Sequence, residues 1–309
     1  MLGESNGKGV SKDMIWDFPY DSVNAIIALL ERHGYAMSKK FGQNFLLSAS
    51  TRRRIVDEMH LEGSESVWEI GPGIGALTTL ILSEGVHLTA FEIDHGFCSI
   101  LRNEAFVGEN SFNLVEGDVL KTWVPVYANE GAPQVICGNL PYNVGSICIG
   151  RFLEQQCLPR RMVYTLQKEV GERLEANAGS KQWSTLSILA QIDYEVSVAF
   201  TIKPGSFFPP PNVDSVVVGL EKRVKPLIPV EQRQVFLQMT SDLFTQRRKT
   251  VRNNLLRGKI GAIIGKEAVL DALSDANIVE HERAENLDIP SLARLAEMLQ
   301  GHQSLHASK

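Results

Sequence analysis

Nothing in this chain approaches the roughly 20 consecutive apolar residues of a membrane-spanning helix. Its first residues, with Glu4, Lys8, Lys12 and Asp13, lack the apolar core of a signal peptide and carry the acids that transit peptides avoid. The four cysteines (Cys98, Cys137, Cys148 and Cys157) form no Cys-x-x-Cys pair, and the seven histidines make no metal-type cluster. A disulfide scaffold and a zinc module are thereby set aside. No metal is expected, and the thiols are expected to be reduced core residues in a soluble, cytoplasmic protein. Excess positive charge is missing as well, since the net charge is −5, which argues against a polyanionic partner unless basic residues are concentrated locally.

They are concentrated. Between Leu243 and Gly265 stand Arg247, Arg248, Lys249, Arg252, Arg257 and Lys259 with no acid among them, and smaller clusters occur at Lys39-Lys40, Arg52-Arg53-Arg54 and Arg160-Arg161. One localised anion-binding face fits this pattern. With 309 residues, 44% of them hydrophobic, the chain has material for two domains.

Residues 1–19 are polar and without periodicity, and read as a loose tail. Asp21 is placed to cap a helix through Ala25, Ile26, Leu29 and Leu30, which Gly34 ends, and a second helix is expected from about Ser50 to His60. Apolar runs at Val67–Ile70, Leu88–Ile93, Phe112–Val115, Val135–Cys137 and Met162–Leu166 then alternate with helical segments. That alternation predicts a parallel, doubly wound sheet. Val196–Ile202 and Ser215–Leu220 leave no room for a helix between them and are expected to pair antiparallel at the sheet edge. Past Pro226 and Pro229 the apolar spacing is helical, so a boundary is placed near 224–229, giving units of 20–225 and 226–309.

The strand ends carry the chemistry. Glu69-Ile70-Gly71-Pro72-Gly73-Ile74-Gly75 ends the first strand of the alternation and opens a helix, where open α/β sheets bind ligands. Glu92 ends the second strand and suits ribose hydroxyls, while Gly117-Asp118 follows the third and offers a carboxylate to an adenine amine. Pro72 removes an N–H that a pyrophosphate could use, which weakens a dinucleotide reading. Asn139-Leu140-Pro141-Tyr142 ends the fourth strand. Pro141 steers the backbone before it away from helix, the Asn139 side chain and Leu140 carbonyl can accept from an exocyclic amine, and Tyr142 offers a ring. This turn has no part in hydride transfer, so an S-adenosylmethionine site is favoured over a nicotinamide one.

With these residues the chain resembles the class I adenine methyltransferases, and among them the small-subunit rRNA adenine N6,N6-dimethyltransferases. The likeness is carried by Lys40-Phe41-Gly42-Gln43-Asn44-Phe45-Leu46, the Glu69–Gly75 turn, Glu92, Gly117-Asp118-Val119 and Asn139-Leu140-Pro141-Tyr142-Asn143. Phe207-Phe208-Pro209-Pro210-Pro211-Asn212-Val213-Asp214-Ser215 and Gln246-Arg247-Arg248-Lys249-Thr250 complete it. The resemblance implies an α/β, Rossmann-like, mostly parallel seven-stranded sheet with an antiparallel edge strand, followed by a small all-helical domain. It implies S-adenosylmethionine held by Asn44, Leu46, Gly71, Glu92, Asp118 and Asn139, with Gln43, Gly73, Ile93 and Val119 beside them, and S-adenosylhomocysteine as product. Asn139, Leu140, Pro141, Tyr142 and Phe207 would hold the target base, and Phe208 departs from the smaller polar residue usual at its position.

The implied partner is small-subunit rRNA within a pre-ribosomal subunit, contacted by Arg247, Arg248, Lys249 and Arg252, with Lys39, Lys40, Arg160 and Arg161 as rims. Helical spacing puts Arg248 and Arg252 opposite Phe244, Val251 and Leu255. A monomer is expected. The related erythromycin-resistance enzymes, which act on large-subunit rRNA, typically carry Ile where Leu140 stands.

Overall fold

The computed structural model describes residues 15–34, 44–141 and 144–307. Helix α1 (Val23–Arg32) begins at Ser22, whose hydroxyl accepts from the Ala25 N–H at 3.2 Å. The cap expected at Asp21 lies one residue earlier, inside the turn closed by Ser22 N–H and Pro19 C=O. Gly34, at φ +70°, ends the helix region as its left-handed tolerance allows.

The chain continues through the short strand β1 (Phe45–Leu46) and α2 (Ala49–Asp57) into alternating units. These are β2 (Ser66–Ile70), α3 (Thr78–Leu82), β3 (His87–Glu92), α4 (His95–Ile100), β4 (Phe112–Glu116) and α5 (Val119–Glu130). After them come β5 (Val135–Asn139), α6 (Gly145–Glu154), β6 (Arg161–Gln167), α7 (Lys168–Glu175) and α8 (Thr185–Asp193). The sheet closes with β7 (Tyr194–Ile202) and β9 (Ser215–Lys222), between which β8 (Phe207–Phe208) leaves to pair with β1.

The seven-stranded order is β4-β3-β2-β5-β6-β9-β7. Strands β2 to β6 run parallel to one another, and β9 runs antiparallel to both β6 and β7. The reversed strand is therefore one place in from the edge, because β7 enters first and β9 folds back between it and β6. Strand-to-strand progress runs outward from β2 to β4, then restarts at β5 on the other side of β2. That reversal opens a crevice at the carboxyl ends of β2 and β5.

Alternation along the strands feeds two cores. Met162, Tyr164 and Leu166 of β6 join Trp68, Phe91 and Phe152 on one face, whereas Val163 joins Val67, Val135, Cys137 and Val217 on the other. After Lys222 the chain turns helical, with α9 (Arg233–Phe244), α10 (Val251–Arg257), α11 (Lys259–Asp275, kinked at Gly265) and α12 (Ile289–Ala307). Their core of Phe236, Met239, Leu243, Leu255, Leu292 and Leu295 also takes in Trp183, Ile188 and Ile192 from the segment before β7. The Trp183 indole donates to Leu287 C=O at 3.1 Å.

The basic stretch is not one helix. Arg247, Arg248 and Lys249 occupy a turn between α9 and α10. Asn254 ends α9 by donating its amide to the carbonyls of Leu243 (2.7 Å) and Gln246 (3.2 Å), and Thr250 caps α10 by accepting from Asn253 N–H. Continuous helical spacing from Phe244 to Leu255 thus does not apply.

Candidate active site

Where β2 ends, the chain turns through Gly71, Gly73 and Gly75 at φ +70°, +59° and +89°. A Cβ on Gly71 would meet no protein atom within 4 Å, so the backbone there faces open space at the crevice. Gly73 N–H donates to Glu92 Oε2 at 3.0 Å, and Asp94 N–H donates to Oε1 at 2.8 Å. The acid ending β3 is thereby clamped by both of its oxygens. Burial pushes its pKa up to about 7 against the opposing pull of these two N–H bonds. Glu69, under the same turn, accepts from Thr78 Oγ1 at 2.6 Å, and burial likewise raises its pKa to about 7. Asp118 caps α5 by accepting from Leu120 N–H at 3.0 Å through one oxygen.

Strand β5 passes close to the end of β2. A Cβ on Gly138 would lie 2.5 Å from Ile70 C=O, so only glycine permits this approach. Asn139 follows, and its Nδ2 donates to Asn44 C=O at 3.0 Å. Leu140 N–H donates to Thr165 C=O at 3.2 Å, and the Leu140 side chain is buried. Pro141 C=O then receives the N–H groups of Val144 and Gly145, starting α6. Arg52, itself buried, donates to the carbonyls of Leu46 (3.1 Å) and Leu47 (2.8 Å) and so supports the segment that carries Asn44.

One cavity is lined by Asn44, Leu46, Gly71, Gly73, Glu92, Ile93, Asp118, Val119, Asn139, Leu140 and Pro141 together. Gln43 and Tyr142 lie outside the described residues, as do Lys39, Lys40 and Asn143. Phe207 is not at the cavity. It is 3% exposed, pairs with Leu46 across β1 and β8, and packs in the core beside Val217. Its neighbour Phe208, paired with Phe45, is the more exposed ring. Sequence reasoning missed the apolar wall made by Phe45, Ile74, Leu77 and Phe97. Leu77 and Phe97 read as ordinary core positions, whereas Phe45 and Ile74 stand inside motifs whose other residues drew the assignment.

The basic residues divide. Arg247 donates to Lys181 C=O at 2.8 Å and pairs with Glu285 at 3.1 Å, and Arg252 pairs with Glu280 at 3.0 Å. Arg248 and Lys249 are exposed, with no acid partner among the described residues. Arg160 and Arg161, expected as rims of the RNA contact, are both engaged by acids. Arg161 opens β6, at the opposite end of the strand from the crevice, and pairs with Glu221 and Glu58, while Arg160 pairs with Glu65 at 2.7 Å. Among the described residues no group of three or more His, Cys, Asp or Glu is placed to hold a metal ion, and no helix is long and apolar enough to cross a membrane.

This sheet, with its glycine turn and acids at successive strand ends, defines a Rossmann-like methyltransferase. A solved dimethyladenosine transferase from Plasmodium falciparum has the same fold, with a TM-score of 0.70 and 24% identity, covering 82% of this chain and 97% of that one. The 23S rRNA methyltransferase ErmE is similar at a TM-score of 0.62 and 25% identity, covering 83% of this chain and 100% of that one. The chain belongs to the ribosomal RNA adenine dimethylase family, whose profile matches residues 35–301. It is 44% identical to ribosomal RNA small subunit methyltransferase A of Treponema denticola over 239 residues, 76% of this chain and 80% of that protein. It is 40% identical to the protein of that name from Treponema pallidum over 281 residues, 91% of this chain and 97% of that protein.

Proposed function

We propose that this chain transfers methyl groups from S-adenosylmethionine to the exocyclic amines of two adjacent adenosines in the 3′-terminal hairpin of small-subunit rRNA. The residues fit that cofactor. Open space at Gly71 admits a ligand against the backbone, and Glu92, a lining residue whose two oxygens are each fixed by a backbone N–H, suits ribose hydroxyls. The Asp118 oxygen not used in capping suits an adenine amine, and half-exposed Ile93 suits its ring face. The cofactor supplies an electrophilic methyl group. Everything else falls to the protein.

The observation that carries the reading is the bond from Asn139 Nδ2 to Asn44 C=O. With the NH₂ end committed to a carbonyl, Oδ1 is left as the acceptor of a side chain that lines the cavity. Oδ1 and the Leu140 carbonyl would accept the two hydrogens of an adenine amine and favour a pyramidal nitrogen with its lone pair directed at the methyl group. The methylated nitrogen is acidic and loses its proton to water, so no strong general base is needed. Positioning and matched hydrogen bonds supply the catalysis. Tyr142 would stack on the extruded base, with Phe208 better exposed for this than Phe207.

Residues 20–225 would form the catalytic unit and 226–309 the rRNA-binding unit, acting as a cytoplasmic monomer on a pre-ribosomal small subunit. Phosphate contact would come mainly from Arg248 and Lys249. The test is methyl transfer from labelled S-adenosylmethionine to unmethylated small subunits, scored as dimethyladenosine. Transfer to large-subunit rRNA instead, or none to either, would overturn the reading.

A further inference from the structure

Residues 15–34 precede the stretch 35–301 that matches the family, yet they pack directly behind the glycine turn. Trp16, Phe18 and Tyr20 form a ring cluster, with centroid separations of 5.1 Å for Trp16 and Phe18 and 5.1 Å for Phe18 and Tyr20. Trp16 also meets Phe106 edge-on at 6.1 Å. Gly75 sits against this cluster so tightly that a Cβ on it would lie 3.0 Å from the Phe106 ring and 3.2 Å from the Tyr20 hydroxyl. The far end of α1 is pinned too. Arg32 pairs with Glu104 at 2.7 Å, and His33 pairs with the same carboxylate, two residues before Phe106.

The polar contact is specific. Tyr20 OH lies 3.1 Å from Ile74 C=O and 3.2 Å from Thr79 Oγ1, and Thr79 Oγ1 in turn donates to Gly75 C=O at 3.1 Å. With the Thr79 proton given to Gly75, the Tyr20 proton serves Ile74. Two consecutive carbonyls of the turn are thus held from behind by side-chain hydroxyls. One residue before them, the Gly73 N–H holds Glu92. Tyr20 is 5% exposed and Arg52 lies 5.1 Å from its ring centre. Burial raises its pKa far above the ordinary tyrosine value, so the donor proton stays in place across the working pH range.

We propose that Tyr20 is a positioning residue of the cofactor site: by donating to Ile74 C=O it sets the glycine turn, and through Gly73 N–H it sets Glu92. This rests on the cavity being the S-adenosylmethionine site. It makes the segment before the family-matched region a working part of that site. A core tyrosine without this role would contribute packing alone, and the phenylalanine variant separates the two because it keeps the ring and removes only the hydroxyl.

The test is calorimetric titration of the full chain with S-adenosylhomocysteine, for the wild type, Tyr20→Phe and Ile26→Ala, together with thermal melts without ligand. Loss of one neutral hydrogen bond predicts binding about three- to tenfold weaker in Tyr20→Phe, with KM for the methyl donor raised by the same factor and kcat at saturation unchanged. Ile26, fully buried in α1, tests packing: Ile26→Ala should lower the melting temperature and leave the dissociation constant within about twofold. Equal binding by Tyr20→Phe and wild type would overturn the proposal, as would Ile26→Ala weakening binding as much as Tyr20→Phe. If the wild type itself bound no S-adenosylhomocysteine, the reading of the cavity would fail instead.

Discussion

Asn139 Nδ2 donates to the main-chain carbonyl of Asn44 across 95 residues of sequence, at 3.0 Å. A rotatable amide is thereby given one orientation, since only its NH₂ end can meet a carbonyl. Asn139→Ala should lower kcat by about 10²-fold or more, the usual cost of losing a transition-state hydrogen bond, and weaken S-adenosylhomocysteine binding modestly. Asn139→Asp should be nearly as inactive, because its carboxylate would face the Asn44 carbonyl without a donor. Single-turnover methyl transfer measures both. Wild-type rates in either variant would remove Asn139 from the chemistry.

Glu69 and Glu92 keep their protons to about pH 7, against an ordinary value of 4.5. Between those values the folded chain binds more protons than the unfolded one, so stability falls as pH rises through this window. Urea unfolding at about pH 5 and about pH 8 should show the loss, and Glu69→Gln with Glu92→Gln should reduce it. Ribose hydroxyls would favour ionised Glu92, so cofactor affinity should rise with pH through about 7 in the wild type and stay flat in Glu92→Gln. A flat wild-type profile would sink the ribose assignment.

Arg233 and Asp193 make a two-bond ion pair that joins α9 to the end of α8, with relative exposures of 5% and 3%. Removing one partner strands a buried charge. Arg233→Ala should cost about 3–5 kcal/mol in urea unfolding, whereas Arg233→Met combined with Asp193→Leu should cost much less. If the single and double variants were equally destabilised, packing rather than the charge would be responsible.

Arg248 and Lys249 should each account for about one unit of the logarithmic salt dependence of rRNA binding. Arg252, engaged with Glu280 at 3.0 Å, should account for much less. Filter binding of Arg248→Gln, Lys249→Gln and Arg252→Gln at several salt concentrations distinguishes them. Equal slopes in all three would mean that the Glu280 pair opens on binding.

Local grammar made much of this protein readable. Strand and helix order follows from apolar periodicity, and the turn at Gly71, the acids at Glu92 and Asp118 and the Asn139 turn each announce a strand end. Parallel strands bring their carboxyl ends to one edge, so residues marked at those ends meet at one cavity without further information. Contacts between distant segments carry no such mark. The carbonyl that orients Asn139 belongs to Asn44, and the hydroxyl behind the glycine turn belongs to Tyr20, 54 residues from its partner Ile74. Phe207 reads as a stacking aromatic but is drawn into the core by the pairing of β8 with β1. Arg160, Arg247 and Arg252 read as free cations and are taken up by acids from other elements.

Sequence by itself determined the doubly wound sheet and the chemical types at its strand ends, because periodicity and strand-end residues are local properties. Tertiary structure alone decided which end of the Asn139 amide is committed to Asn44, which aromatic ring is exposed and which arginines are engaged by acids. Those outcomes depend on competition among groups far apart in the chain, and that competition is resolved only when packing brings them within hydrogen-bonding distance.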